Sequence, residues 1–132
     1  MRYRAASEAN DIDGLMDTLA PDAELVSPLS GRMVFRGRDD LRVLLSAVYG
    51  SMTGLRWRRE LGDDTVRVVI GDGRVGPLEL GDVMVCELAE DGRIQRIRPH
   101  LRPWLAVTLF AIKLGPTVGR HPTLVWRALR RP

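Results

Sequence analysis

Asp82 is the residue of this chain with the clearest setting for acid–base chemistry. In the run Pro77 to Leu88, the residues Leu78, Leu80, Asp82, Met84, Cys86 and Leu88 recur at every second position, so they share one face of a predicted strand. If that face points into an apolar interior, lost hydration raises the carboxyl pKa toward neutrality, which is what a general acid or base needs. Two plainer arrangements stay open: a bulge at Gly81 that turns Asp82 to solvent, or a pairing with an arginine. His100, on the last predicted strand, is the second candidate. Pointing inward, it can exchange a proton at neutral pH, with Asp82 on the neighbouring strand as the available partner; pointing outward, it lies beside Arg96 and Arg98 on the sheet's other face.

Scarcity narrows the remaining chemistry. With one cysteine, Cys86, and two histidines, His100 and His121, the chain can supply neither the four Cys or His ligands of a structural zinc site nor a disulfide. Cys86 has no sequence neighbour that would make it a nucleophile and reads as a small buried hydrophobe. His121, before Pro122, reads as a solvated loop residue. Carboxylates, tyrosines, serines and an imidazole remain.

The elements that must position these groups follow from periodicity. At 132 residues and 14.8 kDa, with 45% hydrophobic and 28% charged residues, the chain is one globular domain in size. Tyr3 to Ala20 is predicted as helix, with Asp11 capping its second part and Pro21 ending it. Glu24 to Pro28 is a short strand, and Arg38 to Met52 an amphipathic helix carrying Leu41, Leu44, Leu45, Val48, Tyr49 and Met52. The period then changes to two. Leu55 to Leu61, with Leu55, Trp57, Arg59 and Leu61 alternating against Arg56, Arg58 and Glu60, and Thr65 to Ile70 are strands around Gly62-Asp63-Asp64, Gly71-Asp72-Gly73 is a turn, and Pro77 to Leu88 and Arg93 to Arg102 pair through Glu90-Asp91-Gly92. Trp104 to Leu114 is an apolar helix opened by Pro103. Gly115 to Arg120 reads as a linker before a short basic helix, Thr123 to Arg131. The order predicts an α+β domain over residues 1–114, helices on one side of a curved antiparallel sheet, and a C-terminal helical extension over residues 115–132.

Charge is one-sided along the chain. The net charge is +3, yet no carboxylate side chain follows Asp91, while Arg93, Arg96, Arg98, Arg102, Lys113, Arg120, Arg127, Arg130 and Arg131 do. Nucleic acid, an anionic membrane, an anionic ligand or an acidic partner would each suit such a distribution. Specific nucleic-acid binding is not expected, since there is no reading motif and aromatics are only 5% of the chain. The basic tail around Trp126 either packs on this or a partner subunit or lies on an anionic membrane. Met1 to Asp11 lacks the apolar run of a signal peptide, and Trp104 to Leu114 is about half a bilayer span, so the expected location is cytoplasmic.

The stretch Asp11 to Leu25, then Ser27-Pro28 and Phe35-Arg36-Gly37-Arg38-Asp39-Asp40-Leu41, resembles the opening of nuclear transport factor 2-like proteins. Asp91-Gly92-Arg93-Ile94 with Leu101-Arg102-Pro103 is similar to the last hairpin of their SnoaL-like branch. The resemblance implies a cone: a cystatin-like α+β barrel whose curved sheet wraps the N-terminal helices around an apolar pocket, usually dimeric through the sheet's outer face. Members include steroid isomerases, polyketide cyclases, epoxide hydrolases, dehydratases and pure binding modules, so fold alone does not decide function. Against the steroid isomerases, Tyr3 matches the tyrosine of the first helix, whereas Ser27 stands at the base position and Met84 at that of the protonated acid. The expectation is a homodimer that holds a small apolar organic ligand and, as an enzyme, performs proton transfer without metal or cofactor. Asp82 or His100 would be the base and Tyr3 the hydrogen-bond donor. Tyr49, Met52, Trp57, Val68, Met84 and Cys86 would form the pocket wall. The competing expectation is a non-catalytic binding or interaction module.

Overall fold

Asn10 and Asp11 split the predicted first helix in two. Asn10 takes a left-handed backbone conformation (φ 53°), and the Asp11 carboxylate restarts the helix by accepting the Gly14 N–H at 3.0 Å. The structure, a computed structural model, describes residues 1–130; Arg131 and Pro132, the end of the basic extension, lie outside them. The two pieces are α1 (Arg2–Glu8) and α2 (Ile12–Asp17), and strand β1 (Leu19–Val26) begins where helix was expected. Pro21 therefore sits in a strand instead of ending a helix. It is tolerated because the register against β6 shifts between Leu19 and Glu24, and β2 (Val34–Arg36) pairs with β1 only from Glu24 onward.

The remaining described elements are α3 (Arg38–Gly50), β3 (Thr53–Gly62), β4 (Val66–Val75), β5 (Leu78–Leu88), β6 (Ile94–Arg102), α4 (Trp104–Arg120) and α5 (Pro122–Leu129). The six strands form one curved sheet in the order β2-β1-β6-β5-β4-β3, with β2 and β3 at its two edges, so the sheet stays open and does not close into a barrel. Neighbours run antiparallel except β1 and β6, which run parallel. Helices α1 to α3 bury Tyr3, Leu15, Met16, Leu41 and Leu45 against Leu25, Val69, Met84 and Ile97 of the sheet's inner face. A second cluster, Val75, Leu80, Ala106, Phe110 and Leu114, seats α4.

Three local readings change. Gly71 and Gly73 lie inside β4 and make room for the crossing of β3: a Cβ at Gly71 would stand 2.7 Å from the Trp57 ring, and one at Gly73 3.1 Å from the Met52 methyl. The chain turns later, at Gly76 (φ 57°). A register shift between Trp57 and Arg59 keeps Leu55 and Trp57 buried but turns Arg59 and Leu61 outward. Finally, Gly115 to Arg120 is helix, not linker, since α4 runs through Pro116 to Arg120. No described helix is long and apolar enough to cross a membrane.

Candidate functional site

Helix α1 is only seven residues long and is held by directed polar bonds to β3. The Trp57 indole N–H donates to Ser7 Oγ at 2.8 Å, the Trp57 backbone N–H donates to the Glu8 carboxylate at 2.7 Å, and Arg4 donates to the Trp57 carbonyl at 2.8 Å. Glu60, which the bulge leaves on the inner side of β3, accepts from Arg67 at 2.7 Å and Arg4 at 3.3 Å. These charge-assisted bonds fix the helix that carries Tyr3, whose side chain is 1% exposed. Trp57 is thus a clamp for α1 and not a wall of the site.

Between α3, α4, the loop after β1 and the inner face of β5 and β6 lies a cavity of about 220 Å³. Its lining is almost wholly apolar: Phe35, Leu45, Met52, Met84, Leu101, Phe110 and Leu114 among others, with Pro28 and Met33 near the rim. The polar groups are few. The Tyr3 and Tyr49 hydroxyls, from α1 and α3, meet at 2.6 Å, and the Tyr49 hydroxyl lies 4.0 Å from the Met84 sulfur. Ser27 also lines the cavity, but its hydroxyl oxygen accepts the N–H groups of Leu29 and Ser30 at 3.1 and 3.2 Å and so is bound up in the turn.

Asp82 stands on β5 between Leu80 and Met84, on the inner face as its alternation predicts, and is 8% exposed. Among the described residues, its Oδ1 has no hydrogen-bond partner, although it is buried. Burial pushes its pKa up to about 7, with the His100 backbone N–H pulling the other way. Burial, with a smaller push from the Asp82 charge, raises both tyrosines above their ordinary value. Cys86 is buried four residues further along the strand but does not line the cavity; burial and the charge of Asp82 push its thiol up to about 12.

Among the described residues, neither the solvent-facing bulge nor an arginine pairing occurs at Asp82. His100, by contrast, is exposed on the outer face, its Nδ1 3.3 Å from the Val83 carbonyl, because it pairs with Val83 in the ladder while Asp82 pairs with Leu101. It cannot trade a proton with Asp82. Val68 likewise belongs to the outer face, since Val69 takes the inner position opposite Met84. Of the expected wall, Tyr49, Met52 and Met84 line the cavity, while Trp57, Val68 and Cys86 do not. Two features were missed: the hydroxyl contact between the chain's two tyrosines, for which Tyr49 on the inner stripe of α3 was the available signal, and the contribution of Pro99 and Leu101 in place of His100. Among the described residues, no three His, Cys, Asp or Glu side chains come together that could hold a metal ion.

No family model and no curated protein matches the sequence. Solved structures do match its fold. An uncharacterized protein with a cystatin-like fold from Silicibacter pomeroyi DSS-3 superposes with a TM-score of 0.87 at 23% identity, over 96% of this chain and 91% of that one. A steroid delta-isomerase from Pseudomonas aeruginosa gives 0.80 at 22% identity, over 92% and 89%. A SnoaL-like protein of unknown function from Burkholderia thailandensis E264 gives 0.65 at 18% identity, over 77% and 90%. The fold is therefore the nuclear transport factor 2-like, cystatin-like fold expected from the sequence, and it is shared with proteins named as isomerases and with others of unknown function.

Proposed function

We propose that this chain binds a small, largely apolar organic molecule bearing one oxygen function, and that Asp82 moves a proton to or from it without metal or cofactor, as in isomerase, cyclase or dehydratase chemistry. One observation carries the reading: a buried carboxyl oxygen without a partner in an apolar cavity, next to a pair of hydrogen-bonded tyrosine hydroxyls. A buried polar atom left without a partner costs free energy, so a group kept in that state is suited to meeting a ligand. With its pKa raised to about 7, Asp82 exists in both protonation states near neutral pH and can take a proton from carbon or return it. Tyr49 donating to Tyr3 leaves the Tyr3 hydrogen free to donate to the ligand oxygen as negative charge builds there. The fold is shared with a steroid delta-isomerase, but with Ser27 and Met84 at that family's base and acid positions the carboxyl here would have to come from Asp82.

The volume indicates the size of the ligand. A dry apolar cavity of about 150 Å³ holds benzene and drug-sized ligands need about 300 Å³ or more; at about 220 Å³ this one suits a molecule of one or two rings. Anything longer would project through the rim, where Leu29 and Gly115 are solvent-exposed. The chain would act as a homodimer through the outer sheet face, where Leu61, Val68, Ile70, Val83 and Val85 form an apolar stripe between Arg98 and Arg59. A thermal-shift screen of cyclic ketones and enones of one and two rings tests the ligand. A ligand at about a hundred times its dissociation constant adds about 2.7 kcal/mol of stability. If no such compound raises the melting temperature, the chain has no role in binding small ketones.

A further inference from the structure

Helix α4 has two apolar sides. Phe110, Leu114 and Val118 face the cavity, whereas Leu105 and Ile112 stand on the opposite side; these two and Trp104 at the start of the helix are 51%, 65% and 75% exposed. Helix α5 continues the pattern. Its inner side buries Leu124 and Ala128, and its outer side presents Trp126 at 62% and Leu129 at 49% exposure. Lone exposed apolar residues are ordinary, but five large ones, two of them tryptophans, on two consecutive helices mark an interaction surface.

The charges around these residues indicate what covers them. No carboxylate side chain follows Asp91, and among the described residues Lys113 and Arg120 of α4 and Arg130 at the end of α5 have no carboxylate partner. Arg127 is the exception; it is spent on a two-point pair with Asp40 at 2.6 and 2.8 Å, which ties α5 down to α3. The Arg130 guanidinium sits 4.8 Å over the Trp126 ring. A second copy of the chain is a poor occupant, because face-to-face pairing would set like charges against each other. Exposed tryptophans with arginine and lysine beside them, on helices lying along the protein surface, are instead the chemistry of a membrane interface, where the ring sits at headgroup depth and the cation meets lipid phosphate.

From this arrangement we infer that the outer side of α4 and α5 docks on an anionic lipid surface. Because α4 is also a cavity wall and Leu29 and Gly115 mark the rim, docking would set the cavity entrance near the bilayer, a natural source of apolar ligand. The docking surface stands apart from the proton-transfer reading and can fail without it.

The test uses the full chain and sedimenting vesicles of phosphatidylcholine, alone or with about 30% phosphatidylserine, at about 50 mM salt. The expected result is binding to the anionic vesicles at least about tenfold tighter than to the neutral ones, released near 500 mM salt, with a blue shift of tryptophan fluorescence. Trp104→Ala with Trp126→Ala, and separately Lys113→Glu with Arg120→Glu and Arg130→Glu, should each weaken binding by about tenfold while the melting temperature holds, because all five residues are exposed. Asp82→Asn should bind vesicles like the wild type. No binding to anionic vesicles at low salt, equal binding to both vesicle types, or undiminished binding by both variants would overturn the proposal. So would an oligomer that the tryptophan substitutions dissociate, since the surface would then be a contact between chains.

Discussion

The cavity has two sides built by opposite means. On the α1 side, Tyr3 is held through Ser7, Glu8 and Arg4 by hydrogen bonds of 2.7–2.8 Å to a single strand residue, Trp57. On the α4 side, Ala106, Phe110 and Leu114 meet the sheet through apolar contact with Val75 and Leu80. Hydrogen bonds fix direction as well as distance, whereas apolar contacts fix mainly volume and can repack. The difference places precision where a proton would move and tolerance where a ligand would be enclosed.

The sharpest way to test that contrast is to remove the carboxyl that the precisely held tyrosine pair would serve. Asp82→Asn should slow deuterium exchange at the α-carbon of a bound cyclic ketone, followed by NMR in D₂O, by about a thousandfold; an unchanged rate would remove Asp82 from the chemistry. The same residue should appear in stability. Its folded pKa of about 7 exceeds the unfolded value of 3.8, so the contribution of neutral Asp82 is present in full below about pH 4 and is lost as pH rises through about 7. Three units at 1.36 kcal/mol each amount to about 4 kcal/mol. Urea melts across this range should show the decline in the wild type and its absence in Asp82→Asn.

On the tolerant side, Leu114→Ala should cost only about 2 kcal/mol in a urea melt, at the low end for a buried leucine, because the site already borders empty space. It should also admit a larger ketone. A loss of about 5 kcal/mol would mean that α4 is as tightly fitted as α1. The smallest effect is expected at His100→Ala, within about 0.5 kcal/mol in stability and without change in exchange rate, because the ring lies outside the cavity.

Much of this was legible beforehand. Period-two alternation along β5 put Asp82 on one face with Leu80, Met84 and Cys86, since a strand in continuous register has only two sides, but left the bulge and the arginine pairing open until the structure turned that face inward. The stripe of α3 placed Tyr49 for the same kind of reason. Reading failed where register is interrupted or a glycine has a second use. The shift after Trp57 reverses Arg59 and Leu61 in a way that alternation cannot reveal. Gly71 and Gly73 resemble a turn because turns and close backbone crossings both require glycine, and only the crossing strand distinguishes them. His100 and Val68 alternate properly; what the pattern withheld was which of their two faces the helices would cover.

The hydrogen atom that serves Gly71 as a side chain reaches further than its size suggests. Trp57 rests on bare backbone there, and a methyl group would meet its ring and the Arg56 carbonyl. Trp57 holds Ser7 and Glu8, and their helix carries the Tyr3 hydroxyl to Tyr49. A substitution in mid-strand, at a position with no ligand contact, would therefore be transmitted as a tilt of α1 and read out as a lengthened tyrosine–tyrosine bond.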